Sequence, residues 1–323
     1  MLLNVIFVLV GLGLLIAGAE SLVRGAVSIS TKLGISALVI GLTVVSFGTS
    51  APELTVNIAS VINKSPDLAI GNVIGSNIAN ILLILGICAI VKPLSVKSST
   101  VWKEIPLALL GVSLLLVMGN DVLIDGKGSN AISRIDGIVL MSLMAIFMFY
   151  IVGMARAEKD KSKDSDEDAP KTYTFLASIG LVVLGLVGLV AGGQLLVTAA
   201  VDFAKDAGLS EALIGLTIVG VGTSLPELAT SVVATRRGQT DIAIGNVVGS
   251  NIFNVFWILG LSGTILQLPF NSAASTDILV AVGATILLFM TMFLGKKHKL
   301  TRTEGIVFVT LYVCYIGFLV YRG

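Results

Sequence analysis

The chain has 323 residues, 55% hydrophobic and 13% charged, against roughly 25% charged in an ordinary soluble domain. With a mean hydropathy of +0.99 and a net charge of +1, this composition excludes a soluble globular fold, a basic nucleic-acid-binding field and an acidic tail. Cys88 and Cys314 lie in apolar runs, so they supply neither a metal-ligand spacing nor a disulfide framework.

In chain order, apolar stretches long enough for the roughly 30 Å hydrocarbon core of a bilayer predict helices at 2–24, 36–62, 67–91, 104–119 and 135–154. After a charged linker at 155–172 they predict 173–199, 211–235, 241–266, 276–295 and 303–321. The first span contains Ala17-Gly18-Ala19, a cleavage-like triplet, but no Lys or Arg precedes it. Its internal counterpart near Leu181 to Val197 cannot be a leader, so both copies are read as structural.

That counterpart belongs to a longer duplication. Gly34 to Gly86 aligns without a gap on Gly208 to Gly260, with 27 of 53 pairs identical. A weaker match of Val8–Val27 with Val182–Val201 extends it to a whole half of the chain. Five spans per half is an odd number, so the second copy enters the membrane from the opposite side. The predicted class is therefore an all-α polytopic membrane protein of ten transmembrane helices in two inverted five-helix repeats. Its expected parts are 1–154, the linker 155–172, and 173–323.

Orientation follows from Lys and Arg at the helix ends. Sixteen fall on one side, among them Arg24, Lys92, Lys97, Arg156 and Arg237, and five on the other: Lys64, Lys127, Arg134, Lys205 and Arg322. Both termini are thus expected outside and the linker, rich in Lys, Asp and Glu, flexible and cytoplasmic.

Two acidic residues interrupt the lipid-compatible pattern. Glu53 and Glu227 lie near the middle of the second and seventh spans, where a charge costs from about 2.5 kcal/mol to well over 10. No Lys, Arg or His is placed at that depth, so the natural counter-charge is a mobile ion or a proton. Each Glu ends a Gly-Thr-Ser-x-Pro-Glu block, Gly48 to Glu53 and Gly222 to Glu227. The proline removes an N–H and clashes with the carbonyl four residues earlier, so a bend that frees carbonyl oxygens is expected near Gly48 and Gly222. Carboxylate, carbonyl and hydroxyl oxygens together suit hard cations such as Na⁺ and Ca²⁺.

A second duplicated block, Gly71-Asn72-Val73-Ile74-Gly75-Ser76-Asn77-Ile78-Ala79-Asn80, repeats as Gly245 to Asn254. Asn72, Ser76 and Asn80 recur every four residues, as do Asn246, Ser250 and Asn254, so each trio lines one helix face. Gly71, Gly75, Gly245 and Gly249 are expected to admit a close neighbour. Asn77 and Asn251 point elsewhere by helical geometry and are given a supporting place. Ser76 and Ser250, taken singly, are equally read as glue between helices. Glu20, four residues before Arg24 and matched in the repeat by Gln194, is read as a helix-surface ion pair. Asp67 and Asp241 are read as helix N-terminal charges.

The two blocks and their duplicates resemble the alpha-repeats of the sodium/calcium exchanger family within the cation/calcium antiporters, over essentially the whole chain. The resemblance implies a ten-helix exchanger that trades Na⁺ for Ca²⁺ by alternating access, with helices one and six sliding across the other eight. It implies Glu53 and Glu227 as the central carboxylates, with Asn80 and Asn254 completing the centre. It further implies oxygens from Thr49 and Thr223, carbonyls of Ser46 and Gly220, and flanking Na⁺ sites at Ser76 and Ser250 with Ser50 and Ser224 close by. One departure stands out: some family members carry Asp at the position of Asn254, so this chain brings two formal negative charges instead of three, which argues against K⁺ co-transport.

The function expected is a Na⁺/Ca²⁺ antiporter of the inner membrane, acting as a monomer with no cofactor and no nucleic-acid partner. Ca²⁺/H⁺ exchange is the alternative. A channel would need a continuous pore, which the inverted repeat disfavours. The only histidine, His298, lies in a Lys-rich loop, so no zinc or nucleophile–base constellation supports an enzyme.

Overall fold

The computed structural model describes residues 2–126, 129–162, 173–206, 220–270, 272–294 and 297–322. Helices α1 (Leu2–Leu33) and α7 (Phe175–Asp206) each have 32 residues, about 48 Å at 1.5 Å per residue. They outlast the predicted spans because apolar and small residues continue past 24 and 199. The first of them stops only after Lys32, at Gly34, whose φ of 65° suits a left-handed helix end.

The second span is broken, as the Pro52 argument requires. Helix α2 (Ala37–Thr49) meets α3 (Ala51–Ile62) at a bend of 44°, the break falling at Ser50 with Pro52 in the first turn of α3. The same break recurs at Ser224, between α8 (Gly220–Thr223) and α9 (Leu225–Arg236). The start of the predicted seventh span, 211–219, lies outside the described residues.

Between these come α4 (Pro66–Val91), α5 (Thr100–Met118) and α6 (Arg134–Ser162). After them come α10 (Thr240–Ile265), α11 (Ser272–Thr291) and α12 (Arg302–Arg322). Among the described residues, eight helices are long and apolar enough to span a membrane, and the bent pair α2–α3 makes nine. Helix α6 corrects the linker boundary: 155–162, expected to be flexible, is helical, and Glu158 within it accepts the Ser36 N–H at 2.8 Å at the start of α2. Residues 163–172 lie outside the described residues.

Helices α4 and α10 form the centre, 78% and 94% buried over their most apolar stretch, against 22–39% for the other straight spans. The outer helices turn large side chains such as Phe149, Leu176 and Leu184 outward, as a lipid-facing surface does. Helices α1 and α7 pack antiparallel through a stripe of small residues at intervals of seven. A Cβ at Gly11 would come within 2.9 Å of the Gly192 carbonyl oxygen, and at Gly18 and Gly25 within 2.8 Å of those of Gly185 and Ser178. A small core of their own, including Leu22, Ala26 and Leu189, joins them to α2, α9 and α10, separate from the main core.

Contacts exchange under the 174-residue offset. Gly11 meets Gly192 while Gly18 meets Gly185, and 11 and 18 correspond to 185 and 192. Two short antiparallel ladders, absent from the sequence expectation, stitch loops at opposite ends: β1 (Leu94–Ser95) pairs with β4 (Lys299–Leu300), and β2 (Ala131–Ile132) with β3 (Leu268–Pro269). β1 and β3 also correspond at that offset. On one face Glu20 binds both Arg24, at 2.8 Å, and Arg237, and Lys97 pairs with Asp241 at 2.9 Å. Asp241 therefore serves as an ion-pair partner in addition to its place in the first turn of α10.

Candidate functional site

Because α3 and α9 both restart with a proline in their first turn, Glu53 and Glu227 also fall in the first turn of a helix at the centre of the molecule, where the orphan N–H groups of a helix start favour negative charge. Each glutamate is 1% exposed. Each is held by two serines, one from either half of the chain. Ser76 and Ser224 donate to Glu53 Oε1 at 3.4 and 3.3 Å, while Ser250 and Ser50 donate to Glu227 Oε1 at 3.4 and 3.0 Å. The serine pairs also touch each other, Ser224 to Ser76 at 3.2 Å and Ser50 to Ser250 at 3.0 Å.

The asparagine trios anchor these glutamates from α4 and α10. Asn72 Nδ2 donates to the Glu53 carbonyl at 3.2 Å and Asn246 Nδ2 to that of Glu227 at 3.3 Å. Their amide oxygens accept the hydroxyls of Thr223, at 3.4 Å, and Thr49, at 3.0 Å. Each broken helix is therefore tied to the central helix of the opposite half. Asn80 and Asn254 lie one turn further on, where α4 and α10 relax into π-helical turns, Ala79–Leu85 and Asn254–Leu259. Such widened turns occur frequently at functional sites.

Of the eight buried side-chain oxygens left without a protein partner among the described residues, four belong to the glutamates and asparagines of this site: Glu53 Oε2, Glu227 Oε2, Asn80 Oδ1 and Asn254 Oδ1. Buried acceptors are otherwise almost always satisfied. No Lys, Arg or His pairs with either glutamate among the described residues. Two carboxylate and two amide oxygens make a donor set for a hard cation, not for a soft metal; no group of three or more His, Cys, Asp or Glu suited to a metal occurs among the described residues.

The remaining predicted residues are close but differently engaged. The Ser46 carbonyl accepts the Ser50 N–H at 3.0 Å and the Thr49 hydroxyl at 3.4 Å. Gly220 opens α8 at the corresponding position. Gly245 and Gly249 admit α2, a Cβ at either meeting Leu38 O at 2.9 Å or Ser46 Oγ at 2.7 Å. At Gly71 and Gly75 a Cβ would meet nothing within 4 Å among the described residues. Beside the site, a groove of about 350 Å³ runs along Ala51, Pro52, Thr223, Pro226, Gln194 and Thr198.

Sequence reasoning underplayed Asn77 and Asn251. They are 1% and 3% exposed and bond across the two halves. Their identity inside both duplicated blocks was the available signal. It also passed over Asn57, which accepts from Asn72 Nδ2 at 2.7 Å where the second half has Ser231 accepting from Asn246 at 2.9 Å.

Buried carboxylate and amide oxygens at the centre of a bundle of spanning helices place the molecule among multi-pass membrane transporters. The profile of the sodium/calcium exchanger protein family matches residues 3–153 and 177–321, and the chain belongs to that family of membrane antiporters. It is 41% identical to the candidate antiporter CaxA of Alkalimonas amylolytica, with 98% of each chain covered. It is 31% identical to the sodium/calcium exchanger MaX1 of Methanosarcina acetivorans, over 98% of this chain and 99% of that one. The solved structure of the sodium-calcium exchanger NCX_Mj, soaked with Na⁺ and Sr²⁺, superposes with a TM-score of 0.82 at 34% identity, covering 98% of both chains.

Proposed function

We propose that the protein exchanges Na⁺ for Ca²⁺ by alternating access at one shared oxygen cage. The observation that carries this is the set of four unpartnered buried oxygens, Glu53 Oε2, Glu227 Oε2, Asn80 Oδ1 and Asn254 Oδ1. Two carboxylates neutralise one Ca²⁺, and Ca²⁺ takes six to eight oxygens at about 2.3–2.6 Å; Thr49, Thr223 and the carbonyls of Ser46 and Gly220 supply the balance. Na⁺ ions divide the same oxygens, with Ser76 and Ser250 holding flanking ions and Ser50 and Ser224 beside them. Occupants therefore exclude one another, and a Na⁺ gradient drives Ca²⁺ the other way. The names of MaX1 and NCX_Mj as sodium/calcium exchangers support Na⁺ as the coupling ion.

The architecture we infer is ten spans in two inverted repeats, 1–154 and 173–323, joined by the segment 155–172. The exchange of contacts under the 174-residue offset supports it. With Arg24, Arg237, Lys97 and Lys92 gathered on one face, that face and the 155–172 segment are cytoplasmic, both termini are outside, and the protein works as a monomer in the inner membrane.

Ca²⁺ uptake into proteoliposomes at clamped pH tests the coupling. An outward Na⁺ gradient is expected to drive uptake that saturates and accelerates with Ca²⁺ on the opposite side. Uptake driven by a proton gradient and indifferent to Na⁺ would assign Ca²⁺/H⁺ exchange instead.

A further inference from the structure

Asn77 and Asn251 are deeply buried and give no oxygen to the four unpartnered positions, yet they close a two-residue ring on each other, to which Asn80 and Asn254 are each attached. Asn77 Nδ2 donates to the Asn251 carbonyl and Asn251 Nδ2 to the Asn77 carbonyl, both at 3.3 Å. Asn254 Nδ2 donates to Asn77 Oδ1 at 3.0 Å, and Asn80 Nδ2 to Asn251 Oδ1 at 2.9 Å. We propose that Asn77 and Asn251 are positioning residues that fix the amide orientation of Asn254 and Asn80, so that oxygen and not nitrogen faces the transported cation.

The reasoning starts from the chemistry of the amide. Its two ends are nearly equal in size, but one accepts hydrogen bonds and the other carries two N–H donors, and the terminal torsion is broad and roughly two-fold. Left to itself, Asn254 could turn its NH₂ toward a cation and repel it. A backbone carbonyl has no such freedom, because it can only accept. The Asn251 carbonyl therefore obliges Asn77 to present Nδ2 to it, which leaves Asn77 Oδ1 for Asn254. Asn254 in turn must present Nδ2 to that oxygen, and its own Oδ1 is left buried and unpartnered. The same steps run in mirror image from the Asn77 carbonyl through Asn251 to Asn80. Each ligand amide is thus oriented from a main-chain carbonyl of its own central helix, relayed through the asparagine of the opposite one.

This inference rests on the cation cage proposed above, and its test separates the two. The probes are Asn77→Leu, which removes both ends of the amide at similar volume, and Asn254→Asp, whose carboxylate presents oxygen whichever way it turns. Measured as Ca²⁺ KM and maximal rate in proteoliposomes, Asn77→Leu is expected to raise KM about tenfold, the loss of one buried hydrogen-bond constraint, with little change in maximal rate. In an Asn254→Asp background the same substitution is expected to shift KM by no more than about twofold, or to lower it, because orientation no longer matters. If the ring only holds two helices together, Asn77→Leu penalises both backgrounds equally, and that result overturns the proposal, as does an unchanged KM in the parent. Asn77→Ser replaces Asn77→Leu if the latter fails to fold, and the mirror pair, Asn251→Leu with and without Asn80→Asp, must give the same sign. Failure here leaves Glu53 and Glu227 untouched as ligands, since their own glutamine variants report on the cage directly.

Discussion

At the scale of single residues, the glutamates were legible because charge is so expensive in lipid: once loop residues are set aside, Glu53 and Glu227 stand alone on bent spans. What sequence spacing could not supply was which serine serves which carboxylate. Helical periodicity places Ser76 on the face of its own helix, but only the folded chain brings Ser50 to Glu227 and Ser224 to Glu53, each 170 or more residues away. Those crossed contacts make a specific prediction. Hydrogen bonds to charged groups contribute about 1.5–3 kcal/mol, so Ser50→Ala and Ser224→Ala are each expected to weaken cation affinity by roughly ten- to a hundredfold, read as the Ca²⁺ concentration at half-maximal flux. An unchanged affinity in both would show that the crossed serines do not set carboxylate geometry. Asn77 and Asn251 were given a supporting place without partners for a related reason: a helical wheel shows which way a side chain leaves its helix, not that an inverted copy comes to meet it.

Among elements, the breaks in the second span and its duplicate followed from Pro52 and Pro226, and the structure puts them at the serine two residues earlier in each case. The π turns carrying Asn80 and Asn254, and the two-residue ladders, have no comparable sequence signature, because they arise from how neighbouring helices and loops fit. The α1–α7 pairing lies between these cases. Its glycines at intervals of seven, Gly11, Gly18 and Gly25, stand in the sequence, but their partner does not. A β-branched side chain at Gly18 would drive into the Gly185 carbonyl 2.8 Å away, and overpacking of this kind typically costs 1–3 kcal/mol. Gly18→Val is therefore expected to lower the melting temperature in detergent by several degrees and to abolish flux, whereas Gly13→Ala, where nothing lies within 4 Å among the described residues, is expected to do neither.

Across the whole molecule, the two faces are unlike. On the Arg237 face, Glu20 of α1 is tied to Arg24 and to Arg237 at the end of α9; on the other, the corresponding positions on α7 are the neutral Gln194 and Thr198, which border the groove beside the site. The Glu20–Arg237 pair is part-exposed, and pairs of that kind contribute about 0–1 kcal/mol, so Arg237→Gln is expected to leave the melting temperature nearly unchanged. If α1 and α7 slide during transport, the variant is expected instead to shift the population away from the state in which the groove is open. A Thr198→Cys probe in a cysteine-free background would then react more slowly with a water-soluble maleimide; equal reactivity would remove this pair from the conformational balance. The central claim is that one cage, built on two duplicated glutamates, carries the exchanged cations. Na⁺-dependent radiolabelled Ca²⁺ flux in proteoliposomes holding Glu53→Gln or Glu227→Gln tests it most directly. Each single variant is predicted to lose exchange while keeping its fold, and near-normal flux in both would contradict the account.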